Sequence, residues 1–378
     1  MNNIKEGVMF LTKGSRQFYT PEWYIEKQKQ SFGSARGKML ITCCSSGVDL
    51  TRMVKESYDS MLAEAGSETR VPYMEKVDSQ FLDSETLVRL KKPVNGHDVF
   101  LFQNLLDPQH NAPVDQNYMS LFISIRAFKE YGANYVTVVL PYLAYARQDK
   151  STKFMREPTT ARLMAELTIE AGADCLVTWD PHTWQLRGFY GSLLVYMLES
   201  LTLFIKVFER FRGRRDVIAI SPDAGASKFV THFGRALNLD CAIGSKYRPR
   251  HEVAEMTDII GNFHGKKIAI VLDDMISSGG TMLALIEKLA SEHELEEIYI
   301  GSSHNLCLNS AYDRLCKLHE SYNLKEVITT DSIPQTKKFL DLPFIRVCSL
   351  AETLARTINR VHYNRSVSEV FYRPGGKD

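Results

Sequence analysis

A single string, KKIAIVLDDMISSGGT at 266–281, narrows the folds open to this chain more than any other. Residues 268–272 are an unbroken apolar run rich in β-branched side chains, which predicts a strand buried on both faces of a parallel sheet. Asp273 and Asp274 stand where that strand is expected to stop. Ser277, Ser278, Gly279, Gly280 and Thr281 follow. Small, flexible residues of this kind let backbone N–H groups converge on an anion, because glycine tolerates the dihedrals such a loop needs. Met282, Leu283, Leu285, Ile286 and Leu289 then recur at helical spacing, so the positive end of a helix stands behind the loop. Phosphate suits that arrangement. The paired carboxylates can hold Mg²⁺ or accept hydrogen bonds from vicinal sugar hydroxyls. A phosphorylated sugar fits the whole string; a solvated acidic turn before a helix is the plainer alternative.

The rest of the chain is built to the same rhythm. Short apolar runs at 39–42, 99–103, Tyr135–Leu140, Cys175–Trp179, 217–220 and 298–300 alternate with helical stretches, which predicts an α/β fold with mainly parallel sheets flanked by helices. Leu194, Met197, Leu201, Phe204 and Phe208 predict an amphipathic helix over 193–211. With the basic turn at 212–215 it separates two similar domains, 39–191 and 192–378. Residues 1–38 have no clear period and form an extension of unknown role. At 378 residues and 44% hydrophobic content the chain can build two cores. A net charge of +1 argues against bulk binding to nucleic acid or membrane surfaces. The first residues offer an apolar run of only four, where a signal peptide needs about 7 to 15. The seven cysteines are odd in number and form no C-x-x-C. They indicate neither a disulfide framework nor a zinc site, and a cytoplasmic protein is expected.

A second loop has the chemistry to meet the first. YARQDK at 145–150, after the strand Tyr135–Leu140, carries Arg147, Gln148 and Lys150, with Lys153 and Arg156 beyond. These cations and donors suit a polyphosphate and lie at a strand's carboxyl end, where open α/β sheets bind ligands. By spacing alone a solvated basic loop fits as well. No G-x-x-x-x-G-K-[ST] occurs, so an ATP enzyme built on this chain would lack a Walker loop.

Together, YARQDK, the following R-E-P and the 266–281 string resemble the ribose-phosphate pyrophosphokinases, whose two domains share the type I phosphoribosyltransferase fold. The match continues through D-P-H at 180–182 with TWQLRGFY behind it, S-P-D-A-G-A at 221–226, TTDSIP at 329–334 and the helical 351–371 segment. The resemblance implies transfer of a diphosphoryl group from MgATP to the 1-hydroxyl of ribose 5-phosphate. It assigns Phe81, Asp83 and Glu85 to the adenine, and Arg147, Gln148 and His182 to the triphosphate. Asp273, Asp274 and residues 277–281 fall to the sugar phosphate, with His182, Asp223, Asp273 and Asp274 as Mg²⁺ ligands. Lys246 and Arg248, a K-x-R pair, become the catalytic cations. A homo-oligomer, built from dimers and up to a hexamer, is also implied. This chain departs from the family at Ala226 for a glycine, at Ser277-Ser278-Gly279-Gly280 where many members have an aspartate and an alanine, and in one extra residue between Asp149 and Arg156. A phosphoribosyltransferase, or a regulatory subunit without activity, are the alternatives.

Overall fold

The computed structural model describes residues 32–152, 154–250 and 253–370, without the side chains of 246–257 and 369. Its strands are β1 (Gly33–Ser34), β2 (Gly37–Cys43), β3 (Asp78–Gln80), β4 (Thr86–Val88), β5 (His97–Phe102), β6 (Tyr135–Leu140), β7 (Cys175–Trp179), β8 (Leu194–Leu198), β9 (Val217–Ser221), β10 (Asp240–Arg250), β11 (Val253–Ile260), β12 (Ile268–Ile276), β13 (Glu297–Asn305), β14 (Leu324–Thr330) and β15 (Ile345–Cys348). They form two sheets, ordered β1-β2-β5-β6-β7-β8 and β11-β10-β9-β12-β13-β14-β15, with β3 and β4 as a separate hairpin. Pairing is parallel except for the β1–β2 and β10–β11 edges and the β3–β4 hairpin. The two-domain α/β expectation is met.

Period-2 alternation decides what each face buries. In β12, Ala269 and Val271 face one core with Leu285 and Leu289 of the helix Gly280–Glu292. Ile268, Ile270 and Leu272 face another with Phe204, Phe208 and Phe233. The first sheet is likewise covered on both sides: Val99, Leu101, Val136 and Val138 pack with Leu121, Ile125 and Phe128 of the helix Val114–Glu130. Met39, Ile41, Phe100 and Phe102 pack with Leu50 and Val54 of the helix Val48–Glu64.

Three features differ from a simple cut of the chain at residue 191. The segment expected as one helix over 193–211 splits: 194–198 becomes β8, parallel to β7, and the helix is confined to Leu201–Val207. A short apolar run fits either state, and here an open sheet edge supplies the partner. Asp180 N–H donates to Leu198 O at 2.8 Å, closing the strand. The helix Ala351–His362 leaves the second sheet and buries Leu354, Ile358 and Val361 against the first. Residues 32–38, placed in the extension, are part of the first core: Phe32 and Arg36 are buried, and Arg36 Nε donates to Asp98 at 3.0 Å. Residues 1–31 lie outside the described residues. Among the described residues no helix is long and apolar enough to cross a membrane.

Candidate active site

The second sheet has a switch point. From β9 the chain moves outward to β10, then returns to place β12 on the other side of β9. Crevices for ligands open beyond the carboxyl ends of strands at such points. Here the opening is visible in the pairing: β12 stays with β9 only to Val271↔Ile220, but with β13 to Ile276↔Asn305. The strand therefore does not stop at Leu272 as expected. Asp273 and Asp274 lie within its last turn of pairing, supported on the β13 side and exposed to the gap on the β9 side.

Each side of the gap carries one motif. After β9, Asp223 Oδ1 accepts the N–H groups of Gly225 at 2.7 Å and Ala226 at 3.3 Å, which anchors its carboxylate. Ala226 has φ −86°, so the alanine costs no backbone strain there. After β12, Gly279 adopts φ +77°, and a Cβ on it would meet Ala311 Cα at 3.3 Å. The positive φ favours glycine, and the close approach would make a side chain there tight. The helix Gly280–Glu292 starts at once, aiming its first N–H groups at the gap.

The first domain closes the site from across. A cavity of about 460 Å³ is lined by Arg147 and His182 of that domain, by Asp223, Asp273, Asp274 and residues 275–282, and by Leu308, Ser310 and Arg314. His182 Nδ1 lies 2.6 Å from Asp274 Oδ2, and Arg147 Nη1 donates to Ser277 Oγ at 3.3 Å. The hydrogen bond to Asp274 raises His182 above its ordinary 6.5. Burial pushes Asp274 up, but the His182 hydrogen bond and charge outweigh it and hold the carboxyl below 3.8.

A buried knot sets where His182 stands. Two residues before it, Asp180 has φ +41°, a region non-glycine residues seldom occupy. Its carboxylate accepts hydrogen bonds from Ser200 and from Ser303 of β13. Its carbonyl oxygen lies 3.1 Å from Nε2 of His304, whose Nδ1 is 2.8 Å from Ser332 Oγ. Burial pushes His304 down, so it is neutral, and the carbonyl acceptor assigns the proton to Nε2. The Tyr142 ring meets His304 edge-on at 5.1 Å.

The raised His182 and lowered Asp274 define a pH window. A raised histidine contributes stability fully present below its unfolded pKa and lost as pH climbs through the folded value; a lowered aspartate contributes stability lost as pH falls through its folded value. The melting-temperature advantage of the parent over His182→Asn is therefore expected to peak at about pH 5 to 6 and shrink toward alkaline pH. A difference that stays flat with pH would show that the pair is not ionised.

Not every expected residue joins this cavity. Phe81, Asp83 and Glu85 sit at the exposed tip between β3 and β4 and line no part of it. Gln148, beside Arg147, is exposed and does not line the cavity. Lys246 and Arg248 lie in β10, where the register with β11 shifts between Ser245 and Lys246, but their side chains are outside the described residues. So is Lys153. Ser310 and Arg314, in the helix Asn309–Ser321, line the cavity and were not expected there. A larger cavity, about 1210 Å³, opens at the ends of β2 and β5. Asp49, Asp78, Asp107 and Asp331 line it together with Arg52, Lys76 and His110, and none of the site residues expected from the sequence does.

Comparison with known proteins follows this geometry. Residues 39–172 match the family model described as the N-terminal domain of ribose phosphate pyrophosphokinase, and 240–372 match the phosphoribosyl synthetase-associated domain. A ribose-phosphate pyrophosphokinase of Caldanaerobacter subterraneus is 38% identical over 292 residues, which cover 77% of this chain and 88% of that protein. The chain belongs to the ribose-phosphate pyrophosphokinase family. Another member, from Clostridium acetobutylicum, is 35% identical over 327 residues, 86% of this chain and 98% of its own length. The crystal structure of phosphoribosylpyrophosphate synthetase from Mycobacterium smegmatis superposes with a TM-score of 0.74 at 29% identity, covering 86% of this chain and 99% of that one. The cavity is divided between the two domains: Asp223, Asp273, Asp274 and the 277–281 loop on one, Arg147 and His182 on the other.

Proposed function

We propose that this chain is a ribose-phosphate diphosphokinase that takes ribose 5-phosphate on the second domain and ATP from the first. The observation that carries this reading is the His182–Asp274 contact, which makes one cavity out of the loops of two domains. Ser277, Ser278, Gly279, Gly280 and Thr281 bind the 5-phosphate through backbone N–H groups and hydroxyls. Asp273 and Asp274 accept the sugar's 2- and 3-hydroxyls. The 1-hydroxyl oxygen attacks the β-phosphorus of ATP and gives up its proton to solvent, the bond from that phosphorus to the oxygen bridging to the α-phosphate breaks, and AMP leaves with the electron pair. Such transfer needs in-line positioning and charge neutralisation more than covalent chemistry. Arg147, with Gln148 beside it, orients the triphosphate, and Lys246 and Arg248 neutralise the moving group. The adenine role of Phe81, Asp83 and Glu85 rests on the family resemblance alone.

Mg²⁺ fits these residues. Among the described residues no three metal-binding side chains converge on one point. Mg²⁺ is commonly held by one or two carboxylates plus substrate phosphates rather than by an all-protein cage. Asp223 and one of Asp273 and Asp274 would supply the oxygens, with His182 at the nucleotide side. Bound there, the ion would neutralise charge on the phosphates. The same reading includes a cytoplasmic homo-oligomer.

Purified protein given MgATP and ribose 5-phosphate should yield AMP and phosphoribosyl diphosphate in equal amounts. ADP as the only nucleotide product would mean an ordinary kinase, and no turnover would favour a regulatory subunit.

A further inference from the structure

The phosphate loop has a brace that its own sequence does not contain. Residues 277–281 include no cation, yet Arg314 reaches in from the helix Asn309–Ser321 and donates from Nη1 to Ser278 O at 2.6 Å. Arg314 also lines the cavity itself. In a trans peptide the carbonyl and the next N–H point in opposite directions, and among the described residues no peptide bond is cis. Holding the Ser278 carbonyl on the Arg314 side therefore directs the Gly279 N–H to the other side. Gly279 is where the backbone turns through φ +77° into the helix, and a Cβ there would come within 3.3 Å of Ala311 Cα and 3.6 Å of Arg314 Cβ, so the loop runs close along the Asn309–Ser321 helix.

We infer that Arg314 is a positioning residue for the sugar-phosphate loop: by fixing the Ser278 carbonyl it turns the Gly279 N–H toward the 5-phosphate, and it adds a second positive charge beside that of Arg147 at Ser277. This rests on the ribose 5-phosphate reading of the site and adds to it the residue that shapes phosphate affinity. A hydrogen bond from a guanidinium to a carbonyl is charge-assisted and therefore strong. The bond to Ser278 uses one nitrogen, so an ammonium could take over both the contact and the charge.

The test is binding of ribose 5-phosphate, and separately of inorganic phosphate, to the full chain by calorimetry without nucleotide. It is paired with steady-state kinetics for Arg314→Gln and Arg314→Lys. Arg314→Gln should weaken ribose 5-phosphate binding and raise its KM by roughly 10- to 100-fold, the range for a lost charge-assisted hydrogen bond, with KM for MgATP and kcat within about threefold. Arg314→Lys should recover most of that loss, and all three proteins should melt at similar temperatures. A parent that binds ribose 5-phosphate while Arg314→Gln binds it equally well overturns the role of Arg314 alone. Arg314→Lys as weak as Arg314→Gln also overturns it. A parent that binds neither ribose 5-phosphate nor inorganic phosphate overturns the reading of the site as well.

Discussion

Lys246→Ala is expected to lower the turnover number by about 10² to 10³, roughly 3 to 4 kcal/mol of transition-state stabilisation, with little change in the apparent affinity for either substrate. Negative charge shifts onto the oxygens around the β-phosphorus as the bond to the α-phosphate breaks. A cation aimed there binds the transition state more strongly than the ground state, and its loss appears in kcat rather than in KM. In the backbone, the register of β10 with β11 shifts between Ser245 and Lys246, an irregularity of a kind common next to active sites. Arg248→Ala should behave likewise, and the double variant should lose less than the sum if both cations act on one group. Steady-state kinetics decide this. Turnover within a few fold of the parent would leave Lys246 as a surface residue.

Asp98→Ala is expected to destabilise the protein by about 3 to 5 kcal/mol, the usual consequence of removing one partner from a buried ionic contact. Asp98 is fully buried, and its Oδ2 takes both Arg36 Nε at 3.0 Å and His362 Nδ1 at 2.8 Å. Arg36 also donates to Thr137 Oγ1 at 3.2 Å and lies over the Tyr135 ring at 4.1 Å. His362 Nε2 is 3.2 Å from Phe32 O. One carboxylate thus ties the turn between β1 and β2, strand β5 of the first sheet and the helix Ala351–His362 into a single contact. Without it the buried Arg36 charge loses its carboxylate partner. The shift in urea midpoint at constant slope measures the loss. A change below about 1 kcal/mol would mean the contact is no stronger than a surface ion pair.

How far the sequence could be read depended on whether a property was local. The string at 266–281 carried its strand, loop and helix in consecutive residues, and the structure places Asp273, Asp274, Ser277, Ser278, Gly279, Gly280 and Thr281 around one cavity with Asp223, His182 and Arg147. Even so, β12 runs four residues past Leu272, because its length is set by the partner strand β13 and not by its own apolar run. Where the deciding partner is distant, the reading failed. LVYML at 194–198 is a strand because β7 offers an open edge, and nothing within the segment says so. The helix Ala351–His362 has an apolar stripe that would suit either domain, and only tertiary packing assigns it to the first. Arg36 and Asp98 are 62 positions apart, and His362 lies 264 beyond Asp98. Arg314 was invisible for the same reason: its partner is a backbone carbonyl 36 residues away, and backbone groups leave no trace in composition.

The central claim is that a single cavity joins a sugar held on one domain to a nucleotide held on the other, so that a diphosphoryl group crosses between them. The most direct measurement follows the β-phosphorus: ATP labelled at that atom, with Mg²⁺ and ribose 5-phosphate, and the products separated and counted. The account predicts that all the transferred label leaves on phosphoribosyl diphosphate and that the AMP is unlabelled. Label retained in ADP would contradict it, because the sugar would then have taken the γ-phosphoryl group alone.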